Sequence, residues 1–277
     1  MQTLNDILNS NQYTSEYETC KGCENHCTVR LFHFANGNTF YSGNNCEKIY
    51  SNRSESTRQG INMFAEKYKL LFHREANTKN SQLKIGLPRA LGIYENYPFW
   101  HALFSYCGIK IVLSQPSTNT LYQRGIHTVM ADNICFPAKL MHGHIYNLIS
   151  RGVDRIFYPY VVYEQKEDSH SANSFNCPVV SGYSDVIRSA IDSADRHNIT
   201  LDSPTISFNN TKLLEKACCE YLTSLGIDKD TAIKAVNVAQ QAQNEYKTTL
   251  INRNKEVLQQ AITDGRMVIL LAGRPYH

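Results

Sequence analysis

No apolar run in this sequence reaches the roughly 18 residues that a membrane-spanning helix requires. The clearest, "MVILLA" at 267–272, is the size of a buried strand, so no membrane partner is expected. The N-terminus "MQTLNDILNSNQYTSEYETC" lacks both a basic start and an apolar core, which leaves no secretory signal and makes the cytoplasm the expected location. Charge of one sign is missing too: a net charge of +3 with scattered basic residues gives no electrostatic footprint for nucleic acid. Phosphate loops are absent, since neither Gly-x-Gly-x-x-Gly nor Gly-Lys-Ser/Thr occurs, so the chain should not hydrolyse ATP by itself.

Cysteine, by contrast, is plentiful, with nine residues. Cys20, Cys23, Cys27 and Cys46 fall within "CKGCENHCTVRLFHFANGNTFYSGNNC", spaced C-x2-C-x3-C-x18-C. An odd number of cysteines in a reducing compartment argues against a disulfide framework and for metal or redox chemistry. "TVRLFHF" alternates as a strand, "ANGN" carries the Asn-Gly hairpin signal, and "TFYSG" returns the chain, which brings Cys46 back beside the other three. Soft thiolates suit either Zn²⁺ or an iron–sulfur cluster, and the spacing does not choose between them. The plain alternative is four unrelated thiols.

The rest of the chain alternates between strand and helix patterns. "LKIGL" (83–87), "IKIVL" (109–113), "HTVMA", "DRIFYPYVVY" (154–163) and "CPVVSG" read as strands, with helices over 95–107, 136–150 and near 183–197. This rhythm implies an α/β fold: a flavodoxin-like parallel sheet with covering helices, preceded by a small four-cysteine metal knuckle. The expected organisation is the knuckle with an N-terminal extension over 1–50, where Leu4, Ile7 and Leu8 begin a short amphipathic stretch, and a linker helix over 51–82. An α/β domain follows over 83–210, then a helical segment over 211–264. At 265–277, "MVILLAGRPYH" would open a second, truncated α/β domain.

Other residues could carry chemistry. In "DNICFPAKLMHGH", Cys135 stands at a helix start, where unsatisfied amides favour a thiolate, with Pro137 in the first turn and Lys139 one turn on. His142 lies too far along the helix to share an ion with Cys135. Cys177 in "FNCPVV" could reach the same end of the sheet. Arg89 on the turn of "GLPRALG", Lys139, His142 and Glu164 in "YEQKE" are candidates for a substrate or anion. Packing is an equal reading for Tyr94, Tyr97, Phe99 and Trp100, while Cys107, Cys218 and Cys219 read as core thiols.

Taken in order, "CKGCENHC…GNNCE", "GLPRALGIYENYPFWHALFSYCG", "CFPAKLMHGHI", "IFYPYVVYEQKE", "NCPVVSGY" and "LAGRPYH" resemble the large acyl-CoA dehydratase activase-related proteins, relatives of the 2-hydroxyglutaryl-CoA dehydratase system. The resemblance implies a [4Fe-4S] cluster, with Cys135 and Cys177 as cluster-ligand candidates. It also implies an ATPase activator domain or protein and a remaining dehydratase-like domain as partners, and an acyl-CoA substrate. The expected function is an iron–sulfur component of a 2-hydroxyacyl-CoA dehydratase-type system, in electron transfer or as a dehydratase-like part. The alternative is a non-catalytic scaffold in which Zn²⁺ at the four cysteines staples an interaction module.

Overall fold

The computed structural model describes residues 12–35, 37–52, 60–75, 83–168, 170–192, 196–197, 199–274 and 276. The expected amphipathic start at Leu4, Ile7 and Leu8, Asn36 of the hairpin turn, and much of the polar linker lie outside the described residues. The chain divides into two compact units, Met1–Gly60 with Thr118–Thr120, and Ile61–Ser117 with Leu121–His277.

The first unit is an antiparallel sheet of β1 (Tyr13–Thr19), β2 (Thr28–Phe34) and β3 (Thr39–Ser42), with β2 in the middle. The alternation in β2 buries Val29 and Leu31, and the tight turn after Phe34 uses Gly37 at φ +83°. β1 is a strand that the sequence did not announce. "YTSEYET" has no apolar face and every residue is exposed, so it is organised by a full seven-residue ladder with β2 and by cross-strand contacts such as Tyr13 on Phe32 and Arg30 on Ser15.

The second unit is built on a parallel sheet of β4 (Lys84–Leu87), β5 (Lys110–Leu113), β6 (Arg155–Phe157) and β8 (Thr200–Asp202), in the order β5-β4-β6-β8. Counting these parallel strands along the chain gives 2-1-3-4, the beginning of the flavodoxin-like order. The expected single strand "DRIFYPYVVY" breaks at Pro159, which has no N–H to donate to a ladder. β7 (Tyr160–Tyr163) and β9 (Thr205–Ser207) continue as a separate parallel pair beyond the break. Bonds from Tyr158 N to Asp202 O (2.8 Å) and Tyr160 N to Pro204 O (3.0 Å) carry the pairing across it.

Among the described residues the helices are α1 (Met63–Phe72), α2 (Gly92–Glu95), α3 (Tyr97–Tyr106), α4 (Asn119–Gly125), α5 (Phe136–Ser150), α6 (Pro178–Ala190), α7 (Thr211–Ser224) and α8 (Lys229–Thr263). "CPVVSG" proves to be the first turn of α6, because Pro178 at the first helical position fixes φ where no N–H is needed. "HTVMA" is no strand either, being a 3₁₀ turn at Ile126–Thr128 followed by loop. "MVILLA" forms no strand among the described residues, and Met267 and Leu270 are 88% and 89% exposed. No helix among the described residues is long and apolar enough to cross a membrane.

The aromatic run is packing. Trp100 stands edge-on to Phe99 and to Phe157, each at 4.8 Å, and Phe157 packs on Tyr221 of α7 at 5.0 Å. The polar helix α8 braces α3: Gln243 Oε1 accepts from Phe99 N (3.1 Å), and its Nε2 donates to Glu95 O (3.0 Å). One amide thereby satisfies a free N–H at the start of α3 and a carbonyl at the end of α2.

α4 crosses α5 at two glycines with no clearance. A Cβ on Gly143 would lie 2.1 Å from Leu121 O, and one on Gly125 would lie 2.3 Å from Gly143 N. These are backbone atoms and cannot swing aside. Gly143→Ala should therefore cost about 3 kcal/mol. Gly182→Ala, on the open face of α6 where a Cβ meets nothing within 4 Å, should gain about 0.5–1 kcal/mol. Urea midpoints of the two variants should move in opposite directions.

Candidate functional site

The four-cysteine segment is drawn together by the backbone. Cys20 N donates to Cys27 O at 2.8 Å, closing the loop between β1 and β2. After β3, Gly43 (φ +88°) passes so near the start of β2 that a Cβ would lie 2.6 Å from Thr28 O. Asn45 then reaches back, its Nδ2 3.3 Å from Cys27 Sγ, and Ile49 packs over Gly22. All four thiols are free; Cys20 is buried beneath Val29 and Leu31, Cys27 is half-buried, and Cys23 and Cys46 face outward. Among the described residues, no three His, Cys, Asp or Glu side chains stand close enough to hold one metal ion. The donor set and its topology suit a soft metal, while the side chains as placed do not converge on one point.

Cys135 and Cys177 each occupy the position just before a helix, α5 and α6, in non-helical backbone conformation and without capping through the side chain. Both helices are crossovers between parallel strands, so both begin at the carboxyl ends of the sheet, where open α/β sheets place their sites. Cys135 is exposed and Cys177 half-buried. Around Cys135 stand two buried phenols. Burial, and then the neighbouring charge of Cys135, pushes Tyr183 up to about 12; burial, then Tyr183 and Cys135, raises Tyr158 well above the ordinary phenol value. Around Cys177, the backbone N–H faces the phenol of Tyr276, whose carbonyl in turn accepts from Leu91 N at 2.8 Å.

Glu164 follows β7 and is gripped by two amides. Asn96 Nδ2 donates to both its oxygens at 3.1 Å, and Asn176 Nδ2 to one of them at 3.0 Å. Burial raises its carboxyl pKa against the pull of those donors. It borders a hollow of about 280 Å³ with Lys166, Ser171, Asn173 and Phe175. Held this way, the carboxylate suits a hydrogen-bond donor rather than the anion first expected.

The remaining candidates are engaged. Arg89 is half-buried rather than exposed: its Nε donates to Ser114 O (3.1 Å), it bonds the Tyr68 hydroxyl, and its guanidinium lies 4.7 Å over Phe72. Lys139 Nζ donates to Asp132 O at 2.6 Å and ties down the loop leading to Cys135. His142 is fully buried, and burial holds its pKa at about 4, so the ring is neutral and offers no cation to an anion. The sequence reading passed over Tyr158, Tyr183, Asn96, Asn176 and Thr128. Their only sequence signal was position, since Tyr158 ends a strand and Asn176 precedes a cysteine-capped helix.

A parallel α/β sheet with free cysteines opening two of its crossover helices defines an α/β protein with its candidate site at the carboxyl edge. Residues 84–277 match the CoA enzyme activase uncharacterised domain family, and the chain belongs to that family. No curated protein and no solved structure matches it.

Two measurements probe this geometry. Burial pushes Cys107 up to about 11 and Cys218 higher still. With limiting iodoacetamide, Cys135 should therefore be the first thiol labelled outside the Cys20–Cys46 segment, as read by peptide mass mapping. Reaction of Cys107 or Cys218 ahead of it would show that Cys135 is a shielded thiol.

The second concerns pH. Burial holds His101 and His142 down to about 4 in the folded chain, whereas the ordinary value is 6.5. Between those values the unfolded chain binds more protons. The stability these neutral rings contribute is complete above pH 6.5 and is lost as pH falls toward 4, by about 1.4 kcal/mol per pH unit for each ring. In His142→Gln the rise of stability with pH between about 4 and 6.5 should become shallower, by up to about 1.4 kcal/mol per pH unit, as read from urea midpoints.

Proposed function

We propose that this chain is an iron–sulfur component of a 2-hydroxyacyl-CoA dehydratase-type system, acting with an ATPase activator and the remaining dehydratase-like domain. The observation that carries this reading is the small unit around β1–β3. Among its described residues, its own core consists of Cys20, Val29 and Leu31. So small a core needs a staple, usually disulfides or a metal. No disulfide is present, and four free thiols lie where the backbone gathers them. Cys20, Cys23, Cys27 and Cys46 would hold that metal, and Cys135 and Cys177 are the candidates at the sheet. An iron–sulfur cluster, when bound, supplies one-electron transfer.

The family's relation to CoA enzymes supports acyl-CoA as the substrate. Glu164 and the phenols near Cys135 are the polar groups available to it at the carboxyl edge. A second reading is favoured by the same small core: a closed four-thiolate Zn²⁺ site that only staples the unit, leaving the chain a scaffold. Anaerobic purification followed by iron, acid-labile sulfide and zinc analysis separates the two. Iron with sulfide is the expected result, and zinc without sulfide would favour the scaffold. Cys46→Ser should release the metal bound at the four cysteines. Full metal content in that variant would overturn the four-ligand assignment.

A further inference from the structure

Tyr158, just beyond the end of β6, is 1% exposed, and its hydroxyl has no hydrogen-bond partner among the described residues. A buried O–H left unpaired is destabilising, so such a group calls for an explanation. It sits at the switch point of the sheet, where β4 lies between β5 and β6 and the crossovers depart in opposite directions. Cys135 and Tyr183 are near enough for their charges to add to the effect of burial on its phenol. Cys135, in the same neighbourhood, is exposed.

The bonds behind Tyr183 fix where its proton points. Thr128 Oγ1 donates its single proton to Gly125 O at 2.9 Å. The 2.8 Å contact between Thr128 Oγ1 and His142 Nδ1 must then be an N–H donation from the ring. A neutral imidazole carries one N–H, so His142 Nε2 is bare and accepts the Tyr183 hydroxyl proton across 3.0 Å. Tyr183 is left presenting oxygen lone pairs, while Tyr158 keeps an unused O–H. A donor and an acceptor at the same end of the sheet, both in the neighbourhood of Cys135, suit a group that can both accept and donate, which is a hydroxyl.

We propose that Tyr158 and Tyr183 read the hydroxyl of a 2-hydroxyacyl thioester at the Cys135 end of the sheet, Tyr158 donating to its oxygen and Tyr183 accepting its hydrogen. This rests on the acyl-CoA reading above and adds to it the residues that recognise the substrate class. A site built to pair a hydroxyl discriminates against the analogue that lacks one, because its own polar groups are then stranded.

Isothermal titration of the full chain, purified anaerobically, with 2-hydroxybutyryl-CoA and with butyryl-CoA tests the proposal, since the two differ by one oxygen. The hydroxylated thioester should bind about tenfold more tightly or better. In Tyr158→Phe the preference should shrink severalfold, because only Tyr183 is left to pair the hydroxyl, with butyryl-CoA binding unchanged from the native chain. Equal binding of both thioesters by the native chain would overturn this inference and leave the acyl-CoA reading standing, whereas binding of neither would sink both. Stability gives a check that needs no ligand. Tyr158→Phe removes an unpaired hydroxyl and should keep or raise the urea midpoint, while Tyr183→Phe strands His142 Nε2 and should lower it. A loss in Tyr158→Phe as large as that in Tyr183→Phe would mean the hydroxyl is already paired, and would overturn the proposal.

Discussion

Two glycines set how closely α4 crosses α5, and the hydrogen bonds of the site follow from that distance. At Gly125 and Gly143 the helices meet backbone to backbone. The contact carries the 3₁₀ turn after α4 over α5 and puts Thr128 on His142. His142 in turn holds Tyr183 of α6, so one crossing aligns three elements. Two residues further along α5, His144 points to another side and takes Ser114 and Ser117, at 2.8 and 3.1 Å. "HGH" is thus a hinge of close packing flanked by two imidazoles that satisfy polar groups on different neighbours. Neither ring is a surface histidine.

Burial sorts the nine thiols by chemistry. Cys218 is packed into α7 against the core, and Cys107, near Cys219, is partly covered; burial raises the pKa of both thiols. Cys135 and Cys177 stand at helix starts instead, where the backbone offers unsatisfied N–H groups and the helix dipole favours negative charge. The parallel topology makes those starts coincide at one edge of the sheet. A cysteine placed before either helix is delivered to the same region whatever its neighbours in sequence.

The elements with strong periodicity were legible: α5, α8, the two strands "KIGL" and "KIVL", and the buried stripe of α7 through Leu214, Cys218 and Leu222. Elements set by pairing or by single prolines were not. β1 has no apolar face and exists through its ladder with β2, while Pro159 and Pro178 converted an expected long strand into two and an expected strand into a helix. At the site, residue type announced the cysteines, but it could not announce burial. Arg89 looked like a free cation on a turn, yet its guanidinium is spent on Ser114, Tyr68 and Phe72. Tyrosine is common in this sequence, so nothing marked Tyr158 apart from other core aromatics until its unpaired hydroxyl could be seen.

The way the second unit treats its buried polar groups gives that hydroxyl its weight. Asp202 takes two bonds from Arg155, each 2.6 Å, and one from Tyr221 at 2.8 Å. Gln243, Asn147 and both histidines of α5 are likewise paired. Against that background an unmade bond is either a cost of packing or an opening for a ligand. Trp100 is the first kind: its unpaired indole N–H lies among Phe99, Phe104, Phe157 and Phe208, where a polar ligand would have to displace the core. Tyr158 is the second kind, because its neighbours are a second phenol and an exposed cysteine at the carboxyl edge of a parallel sheet. A low local dielectric strengthens any bond made there and penalises its absence. The same atom that costs stability while unpaired is therefore the one best placed to tell one substrate from another.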